Sequence, residues 1–280
     1  MAQASRRSRA MANEGDGGSQ TLRTGTLTRL RRATPVVMAF VVFVAAWALS
    51  VRIFKIPSYL LPAPSAVAKE FLNYSMFLRH AGVTLLEAVI GFLIGGSMGF
   101  LIAVILDRST TLEHSLIPYI IAATNIPIVA FAPVVVIYFG FGIESKIVVA
   151  AFISFFPMCI NTLKGLKSSD PVLRDLFYSF AASPNETFLK LRLPSALPFI
   201  FTALKQTATG CVLAAVVAEF IQASQGLGWL ILTSAYVSNM PRLWATVAVC
   251  SLIAILFYAL VVIVERYSIP WHASMRGDGR

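Results

Sequence analysis

Charged residues are scarce in this chain of 280 residues: they form 13% of the sequence, against about 25% in an ordinary soluble domain. Cysteine and histidine are rarer still, with three of each, and no Cys-x-x-Cys pair or other metal-ligand spacing occurs. These shortages exclude an ordinary soluble domain and predict neither a metal site nor a cofactor. Hydrophobic residues make up 57% of the sequence. This composition predicts a protein of the lipid bilayer.

Two motifs of enzymes are missing or misplaced. There is no Gly-x-x-x-x-Gly-Lys-Ser/Thr loop, so this polypeptide has no visible means of holding ATP. The string GGSMG at residues 95–99 matches the G-x-S-x-G pattern of hydrolases, but it lies midway along an apolar run and not at a strand-to-helix turn. Gly91, Gly95 and Gly99 recur at every fourth position, which predicts close helix packing on one face. The chain is therefore not expected to be an enzyme.

The hydrophobic runs have the length of membrane-spanning helices, about 20 residues each. They predict an all-α integral membrane protein with about six transmembrane helices, near residues 35–54, 82–106, 116–137, 146–163, 197–221 and 243–264. Prolines 118, 127 and 133 interrupt the third run, so a broken or re-entrant helix is possible there. The predicted domains are a disordered basic tail at 1–34, a transmembrane domain at 35–265 and a second tail at 266–280.

Lysine and arginine are distributed unevenly between the two sides of the predicted topology. With the N-terminus inside, sixteen of them fall on one side and six on the other, and Lys205 lies within a span. Because cytoplasmic loops are enriched in these residues, both termini are predicted to be cytoplasmic. This topology and contact with anionic lipid headgroups account for the net charge of +10, so no nucleic-acid partner is expected.

Three ionisable residues fall inside predicted spans, where charge is costly and usually functional or paired. Glu87 is about one turn inside the second span and is interpreted as structural. Lys205 is able to extend its long side chain to the cytoplasmic headgroups. Glu219 either lines a pathway or braces the polar loop that follows it, and the sequence does not choose between these roles.

A charged amphipathic segment, Lys164–Pro198, separates two of the apolar runs. Asp170 and Pro171 predict the start of one short helix, and Ser183 with Glu186 forms a capping box that predicts a second. Val172, Leu173, Leu176, Phe177 and Phe180 recur with helical spacing on one side of the first helix. Two short helices with this much aromatic surface predict a protein partner, with a helix lying in lipid as the alternative.

This segment resembles the cytoplasmic coupling loop of binding-protein-dependent ABC transporter permeases. The family pattern is Glu-Ala-Ala, three residues, Gly, nine residues, Ile, one residue and Leu-Pro. Aligned on Leu193-Pro194, the matching positions are residues 175–177, Ala181 and Leu191. The strings LPAP at 61–64, IP at 126–127, FGFG at 139–142, AE at 218–219 and GLG at 226–228 are similar to the sulfonate, nitrate and taurine branch.

The resemblance implies an ABC importer permease fold of the MetI-like type in the bacterial inner membrane. It implies a permease pair, with a homodimer favoured, a separate ATP-binding subunit and an extracytoplasmic solute-binding protein as partners. It places the coupling loop at about residues 164–196, hereafter the 164–196 loop. The residues implied in coupling are Asp175, Leu176, Phe177, Phe180, Ala181, Ala182, Leu191, Leu193 and Pro194; Asn125, Gln206 and Glu219 are the polar candidates for the translocation path.

The resemblance implies import of a small solute driven by ATP hydrolysis on the separate subunit. The amino-acid sequence of the coupling region resembles that of importers of small nitrogen heterocycles more than that of sulfonate importers, which favours a heterocycle as the solute. An ion-coupled secondary transporter is the alternative; it is disfavoured because the hydropathy pattern shows no inverted repeat. An intramembrane enzyme is weaker, since Ser97 has no histidine partner.

Overall fold

The computed structural model describes residues 17–270, with side chains at 34, 35, 37–221 and 223–270. Every regular element in these residues is helical, which agrees with the predicted all-α class. The α-helices are α1 (Gly17–Ile53), α2 (Pro64–Glu70), α3 (Tyr74–Asp107), α4 (Thr110–Ala123), α5 (Ile128–Phe139), α6 (Ile143–Lys167), α7 (Pro171–Ser179), α8 (Pro184–Thr187), α9 (Leu193–Gln222), α10 (Leu227–Tyr236) and α11 (Met240–Ser268). A 3₁₀ turn at Phe71–Asn73 joins α2 to α3, and a π-helical turn at Phe188–Arg192 joins α8 to α9.

The described residues contain four helical segments that are long and apolar enough to cross a membrane, and not the six that were predicted. They are Pro64–Asp107, Ile143–Lys167, Pro184–Ile221 and Met240–Ser268, and a fifth is counted if α4 and α5 together form one span. The first predicted span corresponds to Val37–Ile53, a shorter apolar stretch. Helix α10, which the sequence analysis missed, is also too short to cross a bilayer.

The third predicted span is broken, as the prolines indicated was possible. Helices α4 and α5 meet at an angle of 100°. Pro118 and Pro133 lie inside these helices, whereas Pro127 stands at the break as the N-cap of α5, with an extended backbone. A proline disfavours helical geometry in the residue before it, here Ile126, which is why the chain turns at this proline.

Helix α6 lies at the centre of the fold, between α3 and α9. Its contact with α3 is unusually close. A Cβ atom on Gly95 would overlap the carbonyl oxygen of Ala151, and one on Gly91 would overlap the side chain of Ala150. A Cβ on Gly99 would likewise overlap the carbonyl oxygen of Phe155. The three glycines thus line the face of α3 on which the backbone of α6 rests, in the manner of small-residue contacts between membrane helices.

The chain divides into two compact units between Ala66 and Val67. In the first unit the described part of α1 includes residues 17–34, which were predicted as part of a disordered tail, and Pro35 lies inside the same helix. In the second unit α11 ends at Ser268, three residues into the predicted C-terminal tail. The remaining parts of both predicted tails, residues 1–16 and 271–280, lie outside the described residues.

Candidate functional site

The first short helix of the 164–196 loop begins where the sequence predicted. Asp170 is the N-cap of α7, and its carboxylate accepts a hydrogen bond from the backbone N–H of Val172 at 2.9 Å. Pro171 occupies the first helical position, where its missing N–H costs nothing. The cap satisfies one of the backbone donors that every helix start leaves free.

The end of α7 has a geometry that the sequence did not reveal. The N–H of Ala182 donates to the carbonyl of Phe177 at 3.0 Å, and the N–H of Ala181 donates to that of Tyr178 at 2.9 Å. This is the Schellman pattern, which needs a left-handed residue after the helix. Ala181 fills that place with a φ of 53°. The family pattern has glycine at this position, and the left-handed backbone gives that preference a physical reason.

The second short helix starts with the predicted capping box. The hydroxyl of Ser183 accepts from the N–H of Glu186 at 3.3 Å, and the Glu186 carboxylate accepts from the N–H of Ser183 at 3.0 Å. Lys190 pairs with Glu186 one turn later, at 3.1 Å. Both short helices therefore begin at defined residues, so the 164–196 loop has a definite shape.

Large apolar side chains of this loop are exposed. On α7 and the turn after it, Val172, Leu176 and Phe180 are exposed by 72%, 46% and 77%. Asp175 is exposed among them and Phe177 is half-buried. Exposed apolar groups flanking a charged side chain are typical of a surface that another protein covers.

The structure divides the nine predicted coupling residues into two groups. Asp175, Leu176, Phe177, Phe180, Ala181 and Ala182 belong to α7 or its C-terminal turn. By contrast, Leu191 is 7% exposed, and Leu193 packs against a cluster that includes Leu166 and Ile200. Pro194 is half-buried in the first turn of α9. The second group therefore anchors the loop and does not belong to its exposed apolar surface.

Arg192 ties the end of the loop to two other helices. Its guanidinium pairs with Asp107 at the end of α3 and donates from Nε to the carbonyl of Leu166 in α6 at 3.2 Å. The Asp107 side chain is only 3% exposed. A second pair, Lys167 with Glu113, joins the end of α6 to α4. Charged contacts thus connect the 164–196 loop to the membrane helices, a role that the sequence analysis did not assign to any residue.

The three predicted path residues do not lie together. Gln206 lines a groove of about 410 Å³ between α6 and α9, beside the break between α4 and α5. Asn125 lies at that break, but its amide is turned back to donate to the carbonyl of Ile121 at 3.1 Å. Glu219 lies elsewhere and is 1% exposed. Of the two roles left open for Glu219, its contacts favour bracing the polar loop.

The carboxylate of Glu219 holds the start of α10. It accepts from the hydroxyl of Thr84 at 2.6 Å and from the backbone N–H of Gly228. Thr84 also accepts from the N–H of Leu227 at 2.8 Å, and His80 accepts from that of Gly226 at 3.1 Å. Gly226 has a φ of 111°, which only glycine adopts readily. Residues of α3 and α9 together therefore fix a short helix that cannot span the membrane.

Other charged residues within the bundle lie beside residues that are far away in sequence. Glu87 is 3% exposed and lies beside Glu219 and Lys146, and its Oε2 has no hydrogen-bond partner among the described residues. Lys205, which was expected to extend to the headgroups, instead pairs with Glu265 of α11 at 2.9 Å. A charge inside a membrane protein is stabilised by such a partner, but spacing along the chain does not reveal it.

We expect Glu219→Ala to lower the thermal unfolding temperature of the detergent-solubilised protein. The change removes two hydrogen bonds and leaves the buried N–H of Gly228 without its acceptor, at a cost of about 3 kcal/mol. Glu219→Gln, which has one acceptor atom in place of two, should cost about half as much. The control is Glu144→Ala, because Glu144 is exposed. Equal unfolding temperatures for the Glu219→Ala and Glu144→Ala variants would contradict the bracing role.

Comparison with known proteins identifies the architecture. Residues 91–271 match the model of the family described as binding-protein-dependent transport system inner membrane component. The chain belongs to this family. The matched residues include the 164–196 loop, the groove that contains Gln206 and the contact of Glu219 with Gly228, whereas His80, Thr84 and Glu87 precede the match.

Curated members of the family are similar along most of the chain. The formylaminopyrimidine transport permease protein ThiX of Halalkalibacterium halodurans is 31% identical over 88% of this chain and 98% of its own length. The riboflavin transport system permease protein RibX of Chloroflexus aurantiacus is 32% identical, covering 81% of this chain and 86% of its own. The taurine transport system permease protein TauC of Escherichia coli is 26% identical, covering 88% and 92%.

Solved ABC transporter chains have the same fold. A chain of an amino acid ABC transporter crystallised with histidines aligns with a TM-score of 0.60 at 17% identity, over 71% of this chain and 97% of its own. A chain of the MetNI methionine ABC transporter aligns with a TM-score of 0.57 at 18% identity, over 71% and 97%. The predicted MetI-like permease fold is confirmed.

Family membership establishes the general role of the protein. It is a multi-pass inner-membrane permease subunit of a binding-protein-dependent ABC importer, and it is not itself an enzyme. The family works in complexes with an ATPase subunit and a solute-binding protein. The predicted family and the predicted non-enzymatic role are therefore confirmed.

Proposed function

We propose that two copies of this permease import a small solute delivered by an external binding protein, with each 164–196 loop seated in a groove of a separate ATP-hydrolysing subunit. In this proposal the loop faces the cytoplasm, where the ATP-hydrolysing subunits act. Both chain termini lie on the same side when Val37–Ile53 and the α4–α5 pair each cross the membrane, which is the six-span topology that the sixteen basic residues on one side favour. Closure of the two ATPase subunits would draw the loops together and change which side of the membrane the helices open to.

One observation carries the docking proposal: the exposed apolar face of α7. Val172 and Phe180 are exposed by 72% and 77% on a helix held in place at both ends by the Asp170 cap and the Ala181 turn. A short helix fixed in this way transmits a displacement better than a flexible loop. Its movement would reach the membrane helices through Arg192, which contacts both α3 and α6.

The transported solute is proposed to be a small nitrogen heterocycle or a sulfonate-like compound. Relatives named for transport of formylaminopyrimidine and riboflavin are 31% and 32% identical to this chain, and one named for taurine is 26% identical. The SsuC protein of Escherichia coli, named for aliphatic sulfonate transport, is 30% identical over 78% of this chain. Identity to these relatives therefore supports both classes of solute.

The docking proposal predicts distinct effects of two substitutions at Ala181. Ala181→Arg places a long charged group on the docking surface and should reduce both uptake and transport-stimulated ATP hydrolysis about tenfold or more. Ala181→Gly keeps the surface flat and relieves the left-handed backbone, so it should retain uptake and raise the unfolding temperature slightly. Uptake and ATP hydrolysis are measured in proteoliposomes that contain the permease with its ATPase and binding protein.

Asp175 provides a second test with a matched control. Asp175→Lys reverses the charge within the exposed face, whereas Asp175→Asn preserves its shape. Only the reversal should reduce co-purification of the ATPase, and both variants should insert normally into the membrane. Normal uptake by both Ala181→Arg and Asp175→Lys would exclude docking through this surface. Uptake that continues without ATPase but depends on an ion gradient would favour the ion-coupled alternative.

A further inference from the structure

The groove beside Gln206 is lined by both polar and apolar side chains. It is formed by α6, α9 and the break between α4 and α5, and it has a volume of about 410 Å³. That volume is within the range of about 300–1,000 Å³ that small-molecule sites occupy. Another groove, between α3, α9 and α11, is lined entirely by apolar residues, as expected of a surface that faces lipid or another helix.

Aromatic rings form one wall of the groove. Phe152 and Phe156 both line it and meet edge to face, with ring centroids 4.8 Å apart. Phe131 supports this wall from behind, stacked on Phe152 at 4.0 Å. Rings held in this way are preorganised to pack against a flat solute, because stacking does not require them to move first.

Polar groups on the remaining sides are available to a ligand. The exposed amide of Gln206 has no hydrogen-bond partner among the described side chains and offers both a donor and an acceptor. Asn161 donates its N–H to the carbonyl of Pro157 at 2.8 Å, which leaves its amide oxygen as an acceptor. A solute with ring nitrogens and exocyclic donors would satisfy both amides.

The charge of the groove is positive. Lys164 lines it and is exposed, and no described carboxylate pairs with it. No aspartate or glutamate is among the residues that line the groove in the described part of the chain. A cationic solute would meet Lys164 without a compensating carboxylate, whereas an anionic solute would gain a charge-assisted hydrogen bond.

We propose that this groove binds the transported solute directly and that it selects planar, aromatic solutes that are neutral or anionic over those that are cationic. Phe152 and Phe156 bind the ring, Gln206 and Asn161 bind its polar edge, and Lys164 sets the preference for charge. This inference deepens the proposed import function and rests on it. It assigns to the permease a share of substrate selection in addition to that of the binding protein.

The test uses three probes of nearly equal size that differ in charge: nicotinate, nicotinamide and 1-methylnicotinamide. Saturation-transfer NMR is recorded with the full-length permease in nanodiscs, without the ATPase or binding protein. We expect saturation transfer from the permease to nicotinate and to nicotinamide. The cationic 1-methylnicotinamide should bind about tenfold more weakly. Failure of ATPase docking would leave this measurement unaffected, so it is distinguishable from failure of the binding groove.

Variants assign the effect to the groove. Gln206→Ala should weaken binding of nicotinate and nicotinamide alike by about threefold to tenfold, and Gln225→Ala, outside the groove, should not. Lys164→Gln should abolish the tighter binding of nicotinate relative to nicotinamide, whereas Lys69→Gln should preserve that difference in affinity. Equal transfer to all three probes, or transfer that Gln206→Ala and Lys164→Gln leave unchanged, would overturn the proposal.

Discussion

Replacing Gly95 with alanine should prevent α3 from packing on α6 and cause one of the two largest losses of stability expected in this protein. The added Cβ would overlap the carbonyl oxygen of Ala151 and lie 2.8 Å from its carbonyl carbon and Cα. These are backbone atoms of the central helix, so they cannot turn aside as a flexible side chain would. Overpacking of this kind costs about 3 kcal/mol or more, and most of the protein should elute as aggregate in fluorescence-detected size exclusion.

Gly82 in the same helix is a matched control. A Cβ at that position would meet nothing within 4 Å, and alanine is favoured over glycine in a helix by about 1 kcal/mol. Gly82→Ala should therefore elute as a single peak and unfold at the same or a slightly higher temperature. A monodisperse Gly95→Ala variant with the same unfolding temperature as Gly82→Ala would show that α3 and α6 do not require this close approach.

The second large effect is expected at Arg192. Arg192→Ala removes the partner of Asp107, whose side chain is 3% exposed, and leaves a buried carboxylate unpaired. Breaking a buried pair from one side costs about 3–5 kcal/mol. Arg192 also donates a hydrogen bond to the carbonyl of Leu166, so it connects the 164–196 loop to α6 as well. The variant should still hydrolyse ATP with its partner subunit, but the amount of solute taken up per ATP hydrolysed should fall at least about tenfold in proteoliposomes.

Two comparisons separate this contact from a general loss of charge. Lys190→Ala, two residues away, breaks an exposed pair and should cost about 0.5 kcal/mol or less. The exchange Asp107→Arg with Arg192→Asp restores opposite charges and should recover part of both stability and coupling. An exchanged variant no better than either single variant, together with unchanged coupling in Arg192→Ala, would rule out this pathway.

Local sequence signals predicted the 164–196 loop well. The N-cap at Asp170 and the capping box of Ser183 and Glu186 were correct because each depends on neighbours within three residues. The turn at Ala181 was not foreseen, since alanine rarely adopts a positive φ. The glycine that the family pattern has at this position was a sequence signal for the turn, because glycine adopts a positive φ readily. The assignment of Leu191, Leu193 and Pro194 to coupling stays a prediction; the structure adds that Leu191 is buried and that Leu193 and Pro194 are half-buried, which the sequence pattern did not indicate.

The count of spans shows a similar limit. Hydropathy located the long apolar runs, but it joined α4 and α5 into one span, although the chain bends by 100° between them. It also missed α10, whose ten residues are apolar but too few to cross a bilayer. Hydropathy reports how apolar a segment is, whereas the direction of the chain depends on the backbone at Pro127 and on the neighbours that hold α10.

Composition and local motifs by themselves predicted a helical membrane protein without an ATP-binding motif, and the resemblance of the 164–196 loop predicted a permease. They were sufficient because a bilayer accepts only long apolar segments and because caps and coupling patterns are local. Only the tertiary structure decided that Glu219 braces α10, that Lys205 pairs with Glu265 and that Gln206 shares a groove with Phe152 and Lys164. These partners lie on different helices, and the spacing of residues along one chain does not contain the distances that folding creates between them.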